Sequence, residues 1–221
     1  MNHTTEPEGD DPFDAALPAD AAATLSLLQE QQRKVDRASL APIPWLYAIW
    51  GVAWLVGFIL LWSSWPDGNP WFQVDGVIAG WVFAVLTVGS IVASAVLGSR
   101  VNRGVRGASE FQGIVYGVSW SVCGVAFAFV GVGLIYNGMS DELASVYFPS
   151  AYALMVGTLY IAGAALWRSI SQLVVGVVLL AVGAVSPFAG QPGNNLVMSL
   201  AGGGAFLVAA IVMALQLRKT R

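Results

Sequence analysis

The chain has 221 residues, of which 57% are hydrophobic and 10% charged, with a formal net charge of -3. An ordinary soluble domain carries roughly 25% charged residues, so this composition excludes a conventional water-facing surface. A single cysteine, Cys123, excludes a disulfide framework and a thiolate metal cluster, and a single histidine, His3, excludes His-based zinc sites and Ser-His-Asp triads.

The first segment, 1–19, holds Glu6, Glu8, Asp10, Asp11 and Asp14 with three prolines and almost nothing to bury. Ordering it would cost entropy without return, so a disordered acidic tail is expected. No basic n-region opens the chain, and the first apolar helix is expected to stay in the mature protein. From Asp20 the pattern becomes helical: Asp20 can cap the start, and Leu25, Leu28, Gln32 and Val35 recur on one face until Pro42 and Pro44. The expectation is a short amphipathic helix over 20–41, either lying on the headgroups or docking a soluble partner or a second copy.

Six apolar runs follow, at about 45–63, 76–99, 111–136, 146–167, 171–188 and 196–217. Each is long enough to cross about 30 Å of hydrocarbon as a helix. A closed barrel would need strands alternating apolar and polar residues, and runs such as VIAGWVFAVL do not alternate. Turn residues mark the gaps at Pro66–Pro70, at Asn137 and Gly138, and at Gln191, Pro192, Gly193, Asn194 and Asn195. The expected fold is therefore all-α, a polytopic membrane bundle of six transmembrane helices in three hairpins, closed by a basic tail at 218–221.

Basic residues orient that bundle. Arg33, Lys34, Arg37, Arg100, Arg103, Arg106, Arg168, Arg218, Lys219 and Arg221 are every Lys and Arg in the chain, and in a six-helix layout all fall on one side. The opposite loops carry Asp67, Asp75, Asp141 and Glu142. The positive-inside rule then puts both termini in the cytoplasm of a multi-pass cell-membrane protein. Trp45 and Trp167 fall near one boundary, and Trp62, Trp65, Trp71 and Trp81 near the other, as belt residues do.

Three tryptophans, Trp50, Trp54 and Trp120, lie deeper, either packing between helices or lining an apolar pocket. WGVAWLVG at 50–57 and YGVSWSVCG at 116–124 echo each other, which duplication of a hairpin or chance would explain. Small residues that let backbones approach form two stripes: Gly113, Gly117 and Ser121, the first two in a GxxxG, and Ser90, Ser94 and Gly98. Packing inside the bundle or contact between two copies would use them. Gly202, Gly203 and Gly204 make a flat patch on the last helix.

No ionisable group falls near a bilayer midplane, which argues against a proton relay or a voltage sensor. Asp75 and Glu110 sit at helix starts, a favourable place for an acid. There is no P-loop motif, no convergent acid pair and no basic stripe for nucleic acid. An enzyme is not expected, no cofactor or metal is implied, and the bilayer is the principal partner.

The stretch LSLLQEQQRKVDRASLAPIPWLYAIWGVAWLVGF at 25–58 resembles the opening of small, uncharacterised six-helix integral membrane proteins of actinobacteria, sometimes labelled transporters on hydropathy. The resemblance implies no substrate and no site residue. Two functions remain in view: a permease-like protein or membrane subunit of a transport system for an apolar or neutral solute, and a non-transporting scaffold or regulator that binds a partner through its N-terminal helix.

Overall fold

The computed structural model describes residues 23–31, 41–101 and 108–219, and it divides into one unit ending at Leu40 and another beginning at Ala41. The acidic tail, Gln32 and Val35 of the amphipathic face, and the Arg103 and Arg106 loop lie outside the described residues. In the first unit, helix α1 covers residues 23–31 and is exposed along its whole length, with Leu25, Leu27 and Leu28 at 50%, 59% and 57% exposure.

The second unit is all-α, with no strand among the described residues. Its helices are α2 (Ile43–Ser63), α3 (Gly76–Val101), α4 (Ala108–Tyr136), α5 (Asp141–Trp167), α6 (Ile170–Val185), α7 (Gly190–Val197) and α8 (Gly204–Lys219). Apolar runs become helices because a helix satisfies every backbone group within its own segment. Their starts follow local chemistry. Pro44 occupies the first turn of α2, where its missing N–H has no intrahelical duty. Asp75 Oδ1 accepts from the Val77 and Ile78 N–H groups at 2.9 and 3.2 Å, which is the helix-start role expected of that acid. Ser140 and Ser169 cap α5 and α6, accepting from Leu143 and Gln172. Between α5 and α6 the chain reverses through Arg168, at φ 51°.

By length and composition five helical stretches can cross a membrane, and the last of them runs unbroken in helical assignment from Ile170 to Lys219. That stretch is not straight. A 3₁₀ turn over Ser186–Ala189 ends α6, Gly190 turns at φ +59°, Gln191 is extended (φ -90°, ψ 142°) before a cis Gln191–Pro192 bond, and a π turn over Met198–Gly203 joins α7 to α8. The sequence gap at Gln191–Asn195 was expected to be a loop; instead it folds into α7, with Asn194 and Asn195 buried at 0% and 4% exposure. Turn chemistry acts locally, whereas packing against α2 and α5 holds this segment as helix.

Glycines set how the helices meet. A Cβ on Gly157 would lie 2.8 Å from both Gly176 O and Leu180 N, one on Gly176 2.9 Å from Gly157 O, and one on Gly183 2.9 Å from Leu154 N and Ser150 O. The α5 and α6 backbones therefore touch, antiparallel, along their whole overlap. This closest pair joins the fourth and fifth apolar runs, which the sequence assigns to different hairpins. On the other side, a Cβ on Gly203 would meet Leu55 N at 2.7 Å and one on Gly202 would meet Trp54 at 2.8 Å, so the π turn lies flat on α2. Two of the three glycines in the expected flat patch make that contact; nothing lies within 4 Å of a Cβ on Gly204.

The core is thus α2, α5, α6 and α8, around Tyr47, Trp54, Phe58, Ala153, Leu179, Met198 and Phe206. Helix α3 packs chiefly on α2 and α4 chiefly on α5. Both are mostly exposed, as lipid-facing helices are. The contacts put Arg168, Arg218 and Lys219 at the end where α2 begins, and Asp67, Asp75, Asp141 and Glu142 at the other; these are called the basic and acidic ends below.

Candidate functional site

A chain of polar groups at the acidic end begins with one missing donor. Pro149 lies inside α5 and has no N–H, so the carbonyl four residues earlier, on Ser145, loses its helical partner. Gln191 replaces it: its Nε2 donates to Ser145 O at 3.0 Å, and Asn195 Nδ2 donates to Gln191 Oε1 at 2.9 Å. One turn deeper, Ser150 Oγ donates to Val146 O at 2.8 Å and lies 3.3 Å from Ser186 Oγ. Ser199 Oγ, in the π turn, donates to Leu55 O at 2.8 Å. Ser63, at the end of α2, takes Nδ2 of Asn69 at 2.9 Å.

Six of the seven buried polar residues described, Ser63, Ser150, Ser186, Asn194, Asn195 and Ser199, belong to this end. They are not at the surface. Ser150 follows Asp141 by nine residues of helix, which at 1.5 Å per residue is a depth of about 13 Å. Asn194 is the exception in the set: its side chain is fully buried, and neither Nδ2 nor Oδ1 has a hydrogen-bond partner. Each buried group left unmade costs about 1–3 kcal/mol. Such an amide keeps two donor hydrogens on Nδ2 and an acceptor in Oδ1.

Of the tryptophans singled out by sequence, Trp54 and Trp120 are joined through Phe206 and Tyr160 in one aromatic cluster. Trp54 packs edge-on against Phe58 and Phe206, each with centroids 5.5 Å away, inside the core. Trp120 packs against Tyr116 at 6.0 Å and Tyr160 at 5.9 Å. Trp50 turns toward α3, where its indole N–H donates to Ser94 Oγ at 2.9 Å.

Of the Ser90, Ser94 and Gly98 stripe, Ser90 is buried at 2% exposure, Ser94 receives Trp50, and Gly98 has nothing within 4 Å of a Cβ. The Gly113, Gly117 and Ser121 stripe, expected to serve packing inside the bundle or contact between two copies, is turned largely outward. Gly113 is partly exposed, Gly117 and Ser121 are exposed, and a Cβ on Gly117 meets nothing within 4 Å. The face of α4 that meets α5 is one residue round the helix, about 100° away. It carries Tyr116, whose hydroxyl donates to Leu159 O at 3.0 Å, then Trp120, and Gly124, whose carbonyl accepts from Tyr152 Oη at 2.9 Å. Long side chains with polar tips, rather than small residues, join α4 to the core. The echoed glycines accordingly differ: Gly51 would clash with Leu207 if it carried a Cβ, and Gly117 would not.

Sequence reasoning missed the acidic-end cluster because QPGNN reads as a turn. The usable signals were Pro149 inside an apolar run, which frees a carbonyl, and two adjacent asparagines bordering another. No known family model, curated protein or solved structure matches the chain. The chain is an integral membrane protein by the length and apolar character of its helices.

Proposed function

We propose that the chain crosses the membrane six times, in three hairpins and with both termini in the cytoplasm, and acts as a permease-like protein or membrane subunit of a transport system for a small neutral solute. It has no ATPase of its own and is not an enzyme. In this layout the broken stretch from Ile170 to Lys219 makes two crossings, reversing at Gly190 and Gln191. Non-helical backbone is tolerated at membrane depth where it is buried in protein or lines a cavity, and interrupted helices are a recurrent feature of solute sites in transporters. Segregation of all ten Lys and Arg supports the orientation.

The observation that carries the solute reading is Asn194, an uncharged amide buried at 0% exposure with both polar atoms open. Absence of intramembrane charge favours a neutral cargo over an ion. The test is stopped-flow osmotic response of proteoliposomes to water, glycerol and urea. The protein should raise permeability to at least one of these probes above protein-free vesicles, and Asn194→Leu should abolish the increase while the protein still folds. Equal permeability of protein-free and protein-loaded vesicles to all three, or an unaffected Asn194→Leu, would refute it. The scaffold reading has one observation in its favour, the exposed leucines of α1. It predicts that deleting residues 23–31 removes a co-purifying partner and leaves permeability unchanged.

A further inference from the structure

Three exposed aromatic side chains at the acidic end come from two separate connections. Two stand on the α2–α3 loop, Trp71 at 82% and Phe72 at 51% exposure; the third is Phe188 at 90%, in the 3₁₀ turn after α6. Sequence places Trp71 in an aromatic belt; the structure adds Phe72, Phe188 and the bonds that hold them. The loop is pinned. Asn69 Nδ2 donates to Ser63 Oγ at 2.9 Å, Val74 N to Ser63 O at 3.0 Å, and Trp71 N to Asn69 Oδ1 at 2.9 Å. These bonds fold the loop back onto the last turn of α2, where Trp71 packs edge-on against Trp62 with centroids 6.5 Å apart.

Hydrogen bonds also fix the levels. Ser186 Oγ lies 3.3 Å from Ser150 Oγ, and Gln191 reaches Ser145 O, so Phe188 stands beside α5 between Ser150 and Ser145. Ser199 Oγ meets Leu55 O, and eight residues from that contact lead to Ser63 on α2 and back to Gln191 on the antiparallel segment. The root of the loop and Phe188 therefore share one level. Exposed Trp45 and Ile170 mark the basic end. From Trp45 to Trp62 is 17 residues, about 26 Å, and from Ile170 to Phe188 is 18, about 27 Å. Both spans approach the roughly 30 Å of bilayer hydrocarbon.

We propose that Trp71, Phe72 and Phe188 form a lipid-anchoring surface, seated in the headgroup layer of the leaflet at the acidic end. Rings of this kind gain most at the boundary between water and hydrocarbon. The patch is continuous with the outward side chains Val77, Ile78 and Trp81 of α3, at 69%, 58% and 70% exposure, which face lipid. No Lys or Arg lies between Arg37 and Arg100 or between Arg168 and Arg218, so the anchor holds by its rings and not by attraction to anionic lipid. The tip of the α4–α5 hairpin then stands outside the hydrocarbon, since Asp141 is seven residues outward of Phe148, about 10 Å. None of this depends on the permease reading.

Nitroxide labels on single cysteines in a Cys123→Ser protein test the anchor in phosphatidylcholine vesicles. Relaxation by oxygen, which enters lipid, is compared with relaxation by a water-soluble nickel chelate. Labels at Phe72 and Phe188 should show a higher oxygen-to-nickel ratio than labels at Asp67 and Glu142, with depths within one helical turn of each other, about 5 Å. Adding phosphatidylglycerol should leave those depths unchanged. Asn69→Ala should raise nickel access at residue 72 and not at residue 188. Nickel access at 72 and 188 equal to that at 67 and 142 would overturn the anchor and leave an aqueous surface. Shielding from both reagents that disappears on dilution with lipid would overturn it as well and assign the patch to a second copy. Unchanged access at 72 in the Asn69→Ala protein would overturn the role of the pinned loop.

Discussion

Replacing Gly157 by alanine tests whether the α5 and α6 backbones must touch. The new Cβ would lie 2.8 Å from Gly176 O and Leu180 N, both backbone atoms of a helix that cannot swing aside as a side chain can. Carbon contacts are optimal at about 3.5–4.0 Å, so the two helices must part by about 0.7 Å or more, and a gap of that size forfeits a quarter to a half of each contact's 0.1–0.2 kcal/mol. Spread over the several dozen atom pairs of this seam, the loss is about 1–3 kcal/mol, in line with overpacked cores. Alanine also gains about 1 kcal/mol of helix propensity over glycine. Gly117→Ala has the same gain and no clash, because nothing lies within 4 Å of its Cβ. The difference between the two variants therefore isolates packing. Thermal unfolding in one detergent should place Gly157→Ala below Gly117→Ala by about 2–4 °C for each kcal/mol. Coincident melting curves would refute the claim that these backbones are in contact.

Further outcomes follow from the same geometry. Gln191→Ala should cost about 1–3 kcal/mol by stranding the Ser145 carbonyl, and much less in a Pro149→Ala background, where residue 149 regains an N–H for that carbonyl; equal costs in the two backgrounds would show that the link is not as described. Trp50→Phe and Ser94→Ala should each lose about 0.5–1.5 kcal/mol, and the double variant should lose no more than the larger single loss, since both remove one hydrogen bond; additive losses would disconnect the pair. In a Cys123→Ser protein, cysteines at Asp67 and Asp141 should react with an impermeant thiol reagent on intact cells, one at Arg103 should not, and one at the half-buried Gln191 should react more slowly than one at Asp67. Labelling at Arg103 would overturn the orientation.

What was legible in the sequence was whatever depends on solvent and on local periodicity. Apolar runs announce helices because a helix satisfies its own backbone in lipid, and the start of α3 was marked by Asp75, whereas α5 begins at Asp141, ahead of the apolar run expected from 146. The grouping of the basic residues between alternate apolar runs was equally a property of the sequence. By contrast, the small-residue spacing of Gly113, Gly117 and Ser121 was true of the sequence, yet Gly117 and Ser121 are exposed and a Cβ on Gly117 meets nothing, because spacing identifies a stripe on a helix without fixing which way that helix is turned.

Tertiary structure alone decided which stripes meet. Gly157, Gly176 and Gly183 carry no stronger motif than Gly117, yet they are where two backbones touch. It also decided the fate of QPGNN: hydropathy and turn chemistry both send five polar or helix-breaking residues toward water, while the carbonyl freed by Pro149 and packing against α2 and α5 bring Gln191, Asn194 and Asn195 inward. A hydrogen bond between residues 46 positions apart, such as that of Gln191 with Ser145, leaves no periodic trace along the chain, and so only the folded arrangement reveals it.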